Sequence, residues 1–217
     1  MGSPLDEAAL WPHLPTPGSA VLLALPSLWA QNIPAGLEYE IVGGRSVTIT
    51  RYTGDATTLN IPAQIQGLPV TAIGDEAFGA FNESLLEVIN IPSSITSIGE
   101  QVFDIWWSNL TSITVDSLNP AFASIDGVLF DKSLQTLITY PNGRNERAYT
   151  IPASVASIGD EAFYNCSSLT SITIPSSIMY IGDRAFDNSG LTSLTLPRRT
   201  QVGEGAFPET ARIIYSD

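Results

Sequence analysis

The sequence predicts a mainly β solenoid in which short coils of one repeated unit stack and bury their apolar faces between neighbours. Three observations predict it: a unit that recurs, strand-like alternation at the head of each unit, and a Gly-acid-x-x-Phe ending that closes it. Leu86 to Phe103, LEVINIPSSITSIGEQVF, aligns with Leu169 to Phe186, LTSITIPSSIMYIGDRAF, and with Leu191 to Phe207, LTSLTLPRRTQVGEGAF. Two further copies run from Leu59 to Phe78 and from Tyr149 to Phe163. Pro152, Pro175 and Pro197 stand 23 and 22 residues apart, a period typical of solenoids.

Each position in the unit has a physical reason. Leu169, Ile172 and Ile174 alternate with Thr170, Ser171 and Thr173, which marks a short strand with one buried face. Pro175 ends it, having no N–H to give a neighbouring strand. Ile178 and Ile181 return to the core, Gly182 permits a tight bend, and Asp183 is placed to cap a single helical turn. At about 4.8 Å per strand, Phe78, Phe103, Phe163, Phe186 and Phe207 stack into an internal aromatic ladder.

Three regions depart from the unit. Residues 1–31 hold the apolar run AVLLALPSLWA, from Ala20 to Ala30, too short to span a bilayer. Two readings stand: a signal-peptide core cleaved after Ala30, or a Pro-rich leader, since no Lys or Arg precedes the run and Asp6 and Glu7 do. Residues 32–58 form an N-terminal cap, with LEYEIVGGRSVTITRY folding about Gly43-Gly44 as a β-hairpin. Residues 59–217 carry the repeats, five to six coils, with a second hairpin inserted around 116–148, where GVLFDKSLQTLITY replaces the motif.

Composition narrows the function. A hydrophobic fraction of 44% with 14% charged residues describes a folded chain. Nine Lys and Arg against 22 Asp and Glu give a net charge of −13, which repels the phosphates a nucleic-acid binder must neutralise. Cys166 is the sole cysteine, so an intramolecular disulfide is excluded. His13, the sole histidine, lies in the leader, which leaves Ser–His–Asp and Cys–His catalysis without a base, and no phosphate-loop or zinc-helix motif occurs. The sequence thus points away from an enzyme and implies no metal or cofactor. Asn82, Asn109 and Asn165 each open an N-x-S/T triplet.

The repeats resemble the BspA-like, or treponemal-type, leucine-rich repeats. The signature L-x-x-I-x-I-P-x-x-I-x-x-I-G-x-x-A-F-x-x-C is met by Tyr149 to Cys166 with the following Leu169 to Pro175, and the similarity runs from about Leu37 to Phe207. It implies a right-handed leucine-rich-repeat solenoid, mainly β with short helical turns. It also implies a secreted or cell-surface protein that binds matrix or cell-surface proteins or mediates adhesion, and it brings no catalytic residues.

The residues that stacking does not explain are the candidates for binding. Ser112 and Thr114, Ser171 and Thr173, and Ser193 and Thr195 are expected as a polar ladder on the concave strand face, continued by Asn60 and Asn90. Trp106 and Trp107 fall in a segment one residue longer than its counterpart, and an exposed indole there would offer a large apolar contact. The same ladder suits half-exposed strands for purely structural reasons, so two rivals to protein binding remain open: a glycan-binding or accessory domain, and a spacer from a longer repeat array.

Overall fold

The structure is a computed structural model, which describes residues 33–79, 85–103 and 109–216. The expected leader, together with Asn82, Trp106 and Trp107, lies outside the described residues. The chain opens with an antiparallel hairpin of β1 (Leu37–Val42) and β2 (Ser46–Tyr52), turned by Gly43 and Gly44 at positive φ. Thereafter a regular coil contributes two short strands, one to each of two faces, and the first coil adds a third that pairs antiparallel within it. In chain order these are β3 (Thr58–Asn60), β4 (Gln64–Ile65), β5 (Leu68–Ile73), β6 (Val88–Ile91), β7 (Ser97–Ile98) and β8 (Ser112–Val115). An insertion follows, made of β9 (Phe122–Ile125), β10 (Val128–Asp131) and β11 (Thr136–Thr139). The later coils supply β12 (Ala148–Thr150), β13 (Ser157–Ile158), β14 (Ser171–Thr173), β15 (Tyr180–Ile181), β16 (Ser193–Pro197), β17 (Gln201–Val202) and β18 (Arg212–Ser216).

On the first face β3, β6 and β8 pair in parallel, β12 pairs β14, and β16 pairs β18. On the second, β2, β5 and β7 run in parallel, as do β11, β13, β15 and β17. This is a leucine-rich-repeat solenoid whose first coil is covered by the β1–β2 hairpin. The inserted chain is a hairpin too, β10 against β11, with β9 added antiparallel to β10.

The insertion divides the core. Val128, Leu129 and Phe130 of β10 are all fully buried, which a strand achieves only with apolar matter on both sides. Leu129 joins the apolar cluster of the hairpin and early coils, whereas Val128 and Phe130 join that of the later coils. Strand alternation therefore makes β10 a septum between two half-cores.

Two expectations need correction. No helix occurs among the described residues, so the short helical turns are absent. The bends after Gly74, Gly99, Gly159, Gly182 and Gly203 instead place Glu76, Gln101, Glu161, Arg184 and Gly205 in the left-handed region, at φ between 52° and 60°. Nor does the acid cap its own bend. Asp75 Oδ1 accepts the Glu100 N–H at 2.9 Å, Asp160 Oδ1 the Asp183 N–H at 2.8 Å, and Asp183 Oδ1 the Glu204 N–H at 2.7 Å. The acids form a ladder from coil to coil. Gly182 and Gly203 are required beside it, because a Cβ at either would overlap the backbone of the preceding coil, at Asp160 N or Asp183 N, as well as the Asp160 or Asp183 carboxylate.

The aromatic contacts include all five expected phenylalanines and one further ring. Phe163 stacks on Phe186 at 4.9 Å and Phe186 on Phe207 at 5.8 Å, and Phe78 meets Phe103 at 6.0 Å. Between the two groups the inserted coil supplies Tyr140, stacked on Phe163 at 5.2 Å. Cys166 is 2% exposed, and burial pushes its thiol pKa upward, which favours the neutral thiol.

Candidate functional site

The first face positions the polar side chains that sequence singled out. Leu59, Ile89 and Ile113 turn inward and are wholly buried, so their neighbours in the strands turn out. Asn60, Asn90 and Thr114 stand in register across β3, β6 and β8, and the Asn90 amide donates to Asn60 Oδ1 at 2.7 Å. On the later coils Ser171, Thr173, Ser193 and Thr195 are all exposed. Register pairs Ser193 with Arg212 and Thr195 with Ile214, so the last rung adds a cation and an exposed apolar side chain to the hydroxyl rows.

These residues are not one ladder. Beyond β8, where the next parallel strand would lie, stands the tight turn joining β9 and β10. Its Gly127 carbonyl accepts the Ile113 N–H at 2.9 Å, and Ser124 Oγ accepts the Val115 N–H at 3.0 Å. Ser112 and Thr114 thus sit at the edge of a three-stranded sheet, and Ser112 is half-buried against the turn. Ser171 and Thr173 belong to the β12–β14 sheet, and Ser193 and Thr195 to β16–β18, with β14 beside β16. The expected row of three successive pairs is one pair on the early side and two on the later side. Its cause is the insertion, whose turn occupies the intervening strand position.

Arg144 bolts that turn down. Its guanidinium donates to the Asp126 carbonyl, forks onto Glu146 at 2.9 and 3.2 Å, and lies over the Tyr140 ring at 5.1 Å. The hydrogen bonds from Arg144 hold the Glu146 carboxyl below its ordinary pKa. The other end of the insertion is held by Asn119, the one buried polar or charged residue among the described residues. Its amide donates to the Pro92 and Ile95 carbonyls at 2.8 and 2.9 Å and accepts the Ala121 and Phe122 N–H groups at 2.9 and 2.8 Å. Sequence reasoning missed both residues. The Asn119-Pro120 pair carried a turn signal that points to the first; nothing local marks Arg144.

Chemically the later strands offer neutral donors and acceptors on a strand-paired backbone, with Arg212 and Ile214 at one end. Among the described residues no group of three or more His, Cys, Asp or Glu side chains is arranged to hold a metal ion. Nor is any helix there long and apolar enough to cross a membrane.

Comparison with known proteins places the chain in a class. A family model described as BspA type leucine rich repeat region matches residues 52–146 and 139–215, in six copies. The chain belongs to the BspA-type leucine-rich-repeat family. Among solved structures, a leucine-rich repeat protein from Eubacterium ventriosum is similar over 85% of this chain and 71% of its own, at 18% identity and a TM-score of 0.55. A leucine rich cell surface protein from Faecalibacterium prausnitzii matches over 81% of this chain and 51% of its own, at 24% identity and a TM-score of 0.49. The T. pallidum leucine rich repeat protein matches over 83% and 68%, at 26% identity and a TM-score of 0.40. The chain therefore spans about half the length of the Faecalibacterium protein. No curated protein matches.

Proposed function

We propose that this chain is a non-catalytic module that binds proteins at a cell surface, in adhesion, through the first strand face of its later coils. The supporting observation is the exposed block of Ser171, Thr173, Ser193 and Thr195 with Arg212 and Ile214, none of which the stacking of coils requires. Paired strands already fix the backbone beneath these groups, which limits the ordering cost on binding, and the apolar Ile214 supplies contact area beside the hydrogen-bonding hydroxyls. Family membership agrees with a binding role, and the apolar stretch from Ala20 to Ala30 agrees with export.

The test is a binding panel of purified matrix and cell-surface proteins run beside a glycan array. Saturable binding to a protein supports the reading; binding to glycans alone, or to nothing, replaces it with the accessory-domain or the spacer reading. Ser112, Thr114, Trp106 and Trp107 stay in the proposal as sequence candidates, and Trp106→Ala and Trp107→Ala belong in the same panel, with loss of affinity at unchanged stability as the expected result.

A further inference from the structure

The ridge formed by the coil bends has a gap. From the inward residue of the second face to the ladder aromatic, regular coils take five steps, as from Ile98 to Phe103, Ile158 to Phe163 and Ile181 to Phe186. The inserted coil takes three. Leu137 pairs with Ile158, and the Tyr140 N–H donates to the Ala162 carbonyl just as the Phe163 N–H donates to Ala185, so Leu137 and Tyr140 hold the equivalent places. The chain has cut the corner by two residues and left out the Gly-acid bend. The result is a cleft of about 380 Å³ floored by Ile138, Thr139, Tyr140 and Pro141, between the bend at Glu100-Gln101 and the bend at Asp160-Glu161.

The missing bend also leaves backbone positions open. Elsewhere the left-handed residue donates to the next coil's bend: Glu76 to the Glu100 carbonyl, Glu161 to Asp183 and Arg184 to Glu204. At the notch, neither the Gln101 N–H nor the Asp160 carbonyl has a counterpart among the described residues. The walls are acidic. Glu161 is paired with Arg184 at 2.9 Å, while Glu100, Asp160 and Asp183 line the cleft with exposed carboxylates and no cation beside them among the described ion pairs.

We propose that this notch docks an extended, lysine- or arginine-bearing peptide segment of a partner protein. The partner backbone replaces the missing bend, giving a carbonyl to the Gln101 N–H and an N–H to the Asp160 carbonyl, in the manner of strand addition. The apolar floor of Ile138 and Pro141 takes the stem of the basic side chain, whose charged head lies between Glu100 and Asp160. Charge complementarity selects the occupant, because an acidic or phosphorylated segment would meet three carboxylates. This surface lies on the bends, apart from the strand face assigned above, and stands or falls independently of it.

The experiment is fluorescence anisotropy at 150 mM salt with a labelled peptide of alternating glycine and lysine, against a glycine–glutamate peptide of equal length. A chain of net charge −13 attracts any polycation, so the variants separate the notch from the field. Glu100→Gln with Asp160→Asn removes two notch charges and keeps Asp160's acceptor oxygen. Glu38→Gln with Glu40→Gln removes two exposed charges from β1 instead. The proposal expects the notch pair to weaken the lysine peptide about tenfold, the β1 pair less than twofold, and Thr139→Trp, which fills the cleft, also about tenfold. It is overturned if both charge pairs weaken binding equally, if the lysine peptide binds no better than the glutamate peptide, or if a folded Thr139→Trp binds as the unsubstituted chain does. Should Thr139→Trp fail to fold in a melt, the comparison of the two charge pairs decides alone.

Discussion

Replacing Asn119 by Ala should destabilise the protein more than any other single polar substitution on the insertion. The wholly buried amide makes four hydrogen bonds, two donated to the Pro92 and Ile95 carbonyls and two accepted from the Ala121 and Phe122 N–H groups. Truncation leaves these groups without that partner. A stranded buried polar group costs about 1–3 kcal/mol, and Ala121 and Phe122 are only half-buried, so water relieves part; the sum is about 2–4 kcal/mol. For a chain of this size that lowers Tm by roughly 4–16 °C. Asn119→Asp sharpens the test: its carboxylate keeps the two acceptor contacts but faces two carbonyl oxygens, which raises its folded pKa above the unfolded value of about 3.9. Its deficit should therefore be largest at neutral pH and shrink as the pH falls through the folded pKa, where the protonated acid can donate again. Urea melts of both variants between pH 4 and 7 measure this. An Asn119→Ala loss under about 0.5 kcal/mol, or an Asn119→Asp deficit that ignores pH, would refute the reasoning.

Three further predictions concern the coils. Phe163→Ala opens a cavity between Tyr140 and Phe186 and should cost about 3–5 kcal/mol in denaturant melts; a loss under about 1 kcal/mol would remove the ladder from the account. Cys166 should resist thiol reagents in the folded state and react at once in urea, because burial both hides its sulfur and disfavours the thiolate; rapid labelling of the native protein contradicts that. Gly182→Ala drives a Cβ into the Asp160 carboxylate and into the backbone at Asp160 N and Gly159 C, so it should cost about 1–3 kcal/mol or more, of which Asp160→Ala recovers only the carboxylate's share; a denaturant melt that shows no loss for Gly182→Ala would refute the close approach of the coils.

Periodic features were legible in the sequence and the consequences of their interruption were not. The strand at Ser171–Thr173, the hairpin about Gly43-Gly44 and the stacking of Phe163, Phe186 and Phe207 follow from patterns that repeat, since each coil reports on all the others. Tyr140 escaped notice because the inserted coil is two residues short, so spacing from the motif no longer leads to it. The Gly-acid pair suggested a local cap, yet its acceptor serves the following coil, a relation that sequence separation of 23 residues conceals. The Ser and Thr pairs were read as successive rungs because nothing in the sequence says that the Asp126-Gly127 turn takes a strand's place beside β8. Function was less legible still. Exposed hydroxyls on strands have the same sequence pattern whether they bind a partner or only face water.

If the later strand face receives a protein partner, as proposed, charge introduced there must weaken binding. The most direct test takes whichever purified protein the binding panel yields and measures its affinity for the chain beside the double variant Thr173→Lys with Thr195→Lys. Both threonines are exposed, so melts of the variant should match those of the unsubstituted chain. Kd should rise about tenfold or more while stability holds; an unchanged Kd in a variant that folds normally would place the partner elsewhere and contradict the assignment of this face.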